Sequence, residues 1–93
     1  MALLDLLGRR WALRVLWELR EDRRLNFRDL LAASATSPSV LNTRLAELRE
    51  AGIVAHGEAG YALTAAGADL LLRLLPLHEW AEGWAASSSD RRD

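Results

Sequence analysis

Ser39, Asn42 and Thr43 stand at i, i+3 and i+4, so a helix drawn through them gathers three small hydrogen-bonding side chains on one face. Each can donate and accept, which is what contact with a base edge or a phosphate oxygen requires. The same trio would also make an ordinary solvated face. Position alone leaves both uses open, and the elements that carry the trio must decide between them.

Other chemistry finds less support. The two histidines, His56 and His78, are far apart in sequence, there is no cysteine, and the serines outside the expected helices lie in a tail with no base near them. Neither a nucleophile and base pair nor a set of metal ligands can be assembled, so no enzyme activity, metal or cofactor is expected. The absence of cysteine also excludes disulfides and thiol redox sensing. Ninety-three residues that are 51% hydrophobic and 27% charged fit one globular domain. A chain this short buries only about 60 to 65% of its unfolded surface, which favours completing the core against a partner. The start, MALLDLLG, lacks the basic opening and the length of a signal peptide. No apolar run approaches the roughly 18 residues of a membrane span, and a cytoplasmic protein is expected.

Net charge is −1, but it is unevenly spread. From Arg9 to Arg49 there are nine arginines against five acids, and from Glu50 to Asp93 three arginines against seven acids. A basic first half joined to an acidic second half suits a fold that turns one face to a polyanion. Every basic residue is arginine, which a GC-rich genome would also produce.

The spacing of apolar residues predicts a first helix over 9–20, apolar nearly all round and so enclosed on most sides. Asn26, with Asp29 three residues on, starts a short second helix through Leu30 and Leu31. Ser34 to Thr36 is a tight connection. Ser37 then serves as N-cap with Pro38 at the first helical position, where its missing N–H costs nothing. Leu41, Leu45 and Leu48 form the core stripe of this third helix, and Gly52 ends it. Residues 53–56 and 60–63 read as two short strands around Gly57-Glu58-Ala59. Thr64 caps a last helix over about 65–86, with a kink or break expected at Pro76, and 87–93 reads as a frayed tail. The predicted fold is mainly α with a small β-hairpin: a winged helix-turn-helix over 1–86, with the helix-turn-helix at about 26–51 and the wing at about 53–63.

Five pieces in this order, LLGRRWALRVLWELRED, NFRDLLAA, SPSVLNTRLAELREAGIV, YALTAAGADLL and LPLHEWAEGWA, resemble the HxlR-type transcriptional regulators, close in architecture to the MarR group. The resemblance covers about residues 7 to 85. It implies a homodimer that binds double-stranded DNA, the third helix in the major groove, the wing beside the minor groove and the terminal helices forming the dimer. Two departures stand out. The family's wings are generally longer and often basic, whereas here His56 to Gly60 carries no arginine and has Glu58 at its tip. Its redox-sensing members use an N-terminal cysteine that this chain lacks.

On that architecture Ser37, Pro38, Ser39, Asn42 and Thr43 face the groove, and Arg28, Arg9 and Arg10 anchor phosphates from neighbouring helix ends. Arg44 lies between the core and the free face, so its head is expected on a phosphate or on an acid such as Asp29. Glu47 and Glu50 would repel phosphate, which predicts that the far half of the third helix leans away from the duplex. Leu3, Leu4, Leu7, Leu74, Leu77, Trp80 and Trp84 are the expected dimer surface, since a monomer this small cannot hide them all. Trp11, Trp17, Trp80 and Trp84 leave open an apolar pocket for a small-molecule effector. A pseudo-palindromic operator with half-sites about 34 Å apart, or a multiple of it, would follow from two-fold symmetry. The competing reading is a winged helix used as a protein-interaction module.

Overall fold

A computed structural model describes residues 2–90. Seven elements follow in order: α1 (Ala2–Leu7), α2 (Ala12–Glu18), α3 (Phe27–Ser34), α4 (Pro38–Glu50), β1 (Val54–Gly57), β2 (Gly60–Leu63) and α5 (Ala65–Asp90). Val15, Leu16 and Leu19 from α2 and its end meet Leu30 of α3 and Leu41, Leu45 and Leu48 of α4 in one core that Ile53, Val54 and Tyr61 close from the hairpin side.

The first helix begins later than its apolar pattern predicts. Trp11 takes a left-handed backbone, φ 74°, and no side chain caps the helix it opens. Gly8 to Trp11 thereby become a turn that separates α1 from α2, and Arg9 and Arg10 sit in that turn rather than on a helix. Nor is α2 enclosed all round, since Leu13 faces outward. Leu7, expected on the dimer surface, points into the chain's own core at 9% exposure.

The capping residues act as their types dictate. The Asn26 side chain accepts the Asp29 N–H at 2.8 Å, and Ser37 Oγ accepts the Val40 N–H at 3.2 Å with Pro38 in the first turn. Gly52, φ 75°, closes α4: its own N–H donates to Arg49 and that of Ile53 to Leu48, a Schellman ending. The hairpin pairs Val54 with Leu63 through to Gly57 with Gly60, leaving Glu58 and Ala59 as a two-residue turn. Leu25 adds a third backbone to this sheet, exchanging both hydrogen bonds with Tyr61 at 2.8 and 3.1 Å. That pairing was not legible in a lone leucine after a charged turn.

Thr64 fastens α5 to the hairpin. Its hydroxyl accepts the Gly67 N–H at 3.0 Å and lies 2.6 Å from the Gly52 carbonyl. From there α5 runs unbroken to Asp90, past the expected end at Ala86 and through Pro76, so the expected break does not occur. Pro76 removes the donor for the Leu72 carbonyl, and Leu72 stands in water, which can satisfy that oxygen. Of the expected tail, 91–93 lie outside the described residues. At about 1.5 Å per residue α5 is about 39 Å long, against a molecular width of 26 Å. Its first turns pack Leu70 and Leu74 on the core, and its far half extends past it.

Helix α5 leaves the hairpin at one point of close contact. A Cβ on Gly67 would sit 2.1 Å from the Ile53 carbonyl oxygen, a backbone atom that cannot step aside. Gly67→Ala should therefore lower the stability of the fold by about 1 to 3 kcal/mol, the usual cost of overpacking. Urea unfolding measures it, and an unchanged midpoint would show that α5 can shift at no cost.

Candidate nucleic-acid interface

The face of α4 opposite Leu41, Leu45 and Leu48 is free. Ser39, Asn42 and Thr43 are all exposed there, within the first two turns, where the helix dipole is positive. Thr43 Oγ1 donates to the Ser39 carbonyl at 3.0 Å, so its oxygen remains available to accept. Asn42 makes no side-chain hydrogen bond within the described residues and keeps its full set of donors and acceptors. Pro38 is exposed beside them, while Ser37 uses its oxygen as the cap that fixes where the helix begins.

The expected cations divide into two groups. Arg28, in the first turn of α3, is exposed and pairs with no acid among the described residues, and the same holds for Arg49 in the last turn of α4. Arg10 has its guanidinium 5.3 Å from the centre of the Trp11 ring. Arg44 and Arg9 are engaged. Arg44 Nε donates to the Arg10 carbonyl and its Nη1 to Glu47 Oε1, both at 2.8 Å, while Arg9 Nη1 meets the other oxygen of Glu47. The acid that takes Arg44 is thus Glu47, one turn along its own helix, and not Asp29. The structure leaves Glu47 half-buried under two arginines. Contacts between residues 34 and 38 apart leave no periodic trace in a sequence.

The hairpin beside α4 contributes little charge. Its turn exposes Glu58, and His56 lies flat on Tyr61, ring centres 4.0 Å apart and 2° from parallel. His78 is tied elsewhere, to Glu82 at 3.1 Å and against Trp17 at 5.5 Å. Among the described residues no group of His, Asp and Glu could hold a metal ion.

The expected dimer surface is mostly open. Leu3, Leu4 and Leu77 are exposed, as are Trp80 and Trp84, which stack on each other at 6.3 Å. Leu74 is half-buried on the core. Of the four tryptophans expected to line one pocket, only Trp17 reaches the two apolar hollows between α2 and α5, of about 480 and 440 Å³, which share Leu71 and Leu75 as well. Trp11 lies at the α1–α2 turn, and Trp80 and Trp84 are on the exposed side of α5.

Two helices at a tight turn, the second capped and open on its outer face, followed by a hairpin and a long helix, make this a winged helix-turn-helix of the kind that binds DNA. The HxlR-like helix-turn-helix family matches residues 6–89, and the chain belongs to that family of transcriptional regulators. Quinone-bound YodB from B. subtilis superposes with a TM-score of 0.80 at 28% identity, over 88% of this chain and 93% of that one. A structure described as a possible HxlR family transcriptional factor from Thermoplasma volcanium GSS1 gives 0.77 at 28% identity, over 96% and 82%. Comparison with curated protein sequences finds no match. No helix among the described residues is long and apolar enough to cross a membrane.

Since Ser37 sets the start of α4, Ser37→Ala should cost about 1 kcal/mol of stability. Ser37→Gly should cost only a few tenths, because the bare backbone at a cap is well solvated. Thermal melts of the two variants check the order, and equal melting points would remove the cap from the account of α4.

Proposed function

We propose that the chain is a sequence-specific DNA-binding transcriptional regulator that acts as a homodimer on a pseudo-palindromic operator. The observation that carries this is the open row of Ser39, Asn42 and Thr43 on a helix whose opposite face is wholly committed to the core. Asn42, without a side-chain partner among the described residues, is the residue suited to read an adenine edge in the major groove. Arg28 and Arg10 would hold backbone phosphates, and Arg49, which pairs with no acid among the described residues, joins them. The dimer would cover Leu3, Leu4, Leu77, Trp80 and Trp84, large apolar side chains that α1 and α5 leave exposed.

The wing favours a second reading. With Glu58 at its turn and His56 stacked away on Tyr61, it adds no cation, and a winged helix so built would serve as a protein-interaction module. An effector reading is compatible with either. One solved relative is bound to a quinone, and the hollows around Trp17 have the size and apolar lining that an aromatic small molecule requires.

DNA selected from a random pool, followed by mobility shift, separates these readings. Asn42→Ala with Thr43→Ala should weaken operator binding by about tenfold or more while leaving the dimer intact, since each good base contact contributes about 1 to 3 kcal/mol. Arg28→Ala should weaken binding to all sequences alike and reduce the salt slope by about one. Failure to enrich any DNA, with binding insensitive to salt, would sink the proposal in favour of the protein-interaction reading. For the effector, an apolar aromatic ligand at 100 times its dissociation constant should add about 2.7 kcal/mol of stability. Thermal shift reads this, and no shift across such ligands would count against it.

A further inference from the structure

Glu47 continues the stripe of Ser39 and Thr43 at i+8, so the face proposed to meet DNA carries a carboxylate one turn beyond its reading residues. Left bare, it would oppose a phosphate backbone. It is not bare: Oε1 accepts from Arg44 and Oε2 from Arg9, which reaches across from the α1–α2 turn. With a guanidinium on each oxygen, Glu47 is poorly placed to accept a hydrogen bond from a base.

The two arginines are held very differently. The Arg44 side chain is 18% exposed and fixed twice, at the Arg10 carbonyl and at Glu47. That of Arg9 is 51% exposed, and Glu47 is its single partner among the described residues. An ion pair with so exposed a member is weak and easily exchanged. A phosphate contact, by contrast, gains from the release of condensed counterions. Arg9 can therefore move while Arg44 stays.

We propose that Glu47 is a built-in counter-ion for Arg9. In the free protein it holds the Arg9 arm against α4. When DNA occupies the groove, Arg9 leaves Glu47 for a backbone phosphate, and Arg44 remains to compensate the carboxylate. The protein thus competes with DNA for its own arginine, and Glu47 sets how tightly and how salt-dependently it binds. This rests on the DNA-binding reading above.

The test compares wild type, E47Q, R9A and the double variant on DNA enriched from the random pool, across a salt series, with circular dichroism to confirm folding. E47Q keeps the hydrogen-bonding shape without the charge and should bind about two- to fivefold tighter, the range an exposed ion pair can withhold. R9A should bind more weakly with a salt slope shallower by about one. In the double variant most of the E47Q gain should vanish, because there is no Arg9 left to release. E47Q binding no tighter than wild type overturns the inference. So does a gain that persists in full without Arg9, which would be plain charge repulsion. Should E47Q fail to fold, R9A decides alone: unchanged affinity and slope overturn the inference. If wild type binds no DNA, the DNA-binding reading falls and the inference with it, an outcome distinct from binding that the variants leave unchanged.

Discussion

Ile53 is the joint on which the architecture turns. Its N–H completes the Schellman ending of α4 on the Leu48 carbonyl, and its own carbonyl takes the Thr64 N–H at 3.0 Å. The same carbonyl lies against Gly67, where only a residue without a side chain fits. One residue between α4 and β1 thereby fixes the end of the reading helix, the root of the hairpin and the start of α5. That backbone contact holds the start of α5 against the end of α4.

Charge in this protein is largely spent inside the chain. Arg14 and Arg23 hold the buried Glu18 carboxylate, Arg44 and Arg9 hold Glu47, and Arg24 and Arg73 pair with nearby aspartates. A buried acid such as Glu18 needs its partners, since an unpaired charge there would be costly. The excess of arginine over acid in the first half of the chain survives these pairings, but fewer of its arginines are left without an acid partner. Among the described residues the arginines that pair with no acid are Arg10 and Arg20, each over a tryptophan ring, and Arg28 and Arg49. A grip built from a few separated cations is weak without geometry, which places the emphasis on the hydrogen-bonding residues of α4.

The far half of α5 follows a different logic from the rest. Leu70 and Leu74 pack on the core, and beyond them Leu77, Trp80 and Trp84 are exposed, with Leu77 at the border of the hollow that α5 shares with α2. The two solved relatives superpose over 88% and 96% of this chain.

Local rules made much of this structure legible in advance. Asn26, Ser37, Gly52 and Thr64 mark helix ends because their side chains, or the lack of one, satisfy terminal backbone groups wherever they occur. The Leu41, Leu45 and Leu48 stripe fixed which side of α4 faces the core, and hence that Ser39, Asn42 and Thr43 face out. Tertiary structure decided the rest. The turn at Trp11 depends on a left-handed backbone that no residue type announces, and with it the position of Arg9 and Arg10 and the inward turn of Leu7. Leu25 became a strand partner only because the hairpin came to lie beside it. Whether an arginine meets an acid or stands free depends on distances between segments far apart in the chain, and on that the periodicity of a sequence is silent. Glu47 shows the consequence: its place on the helix was readable, whereas its two arginine partners came from the fold.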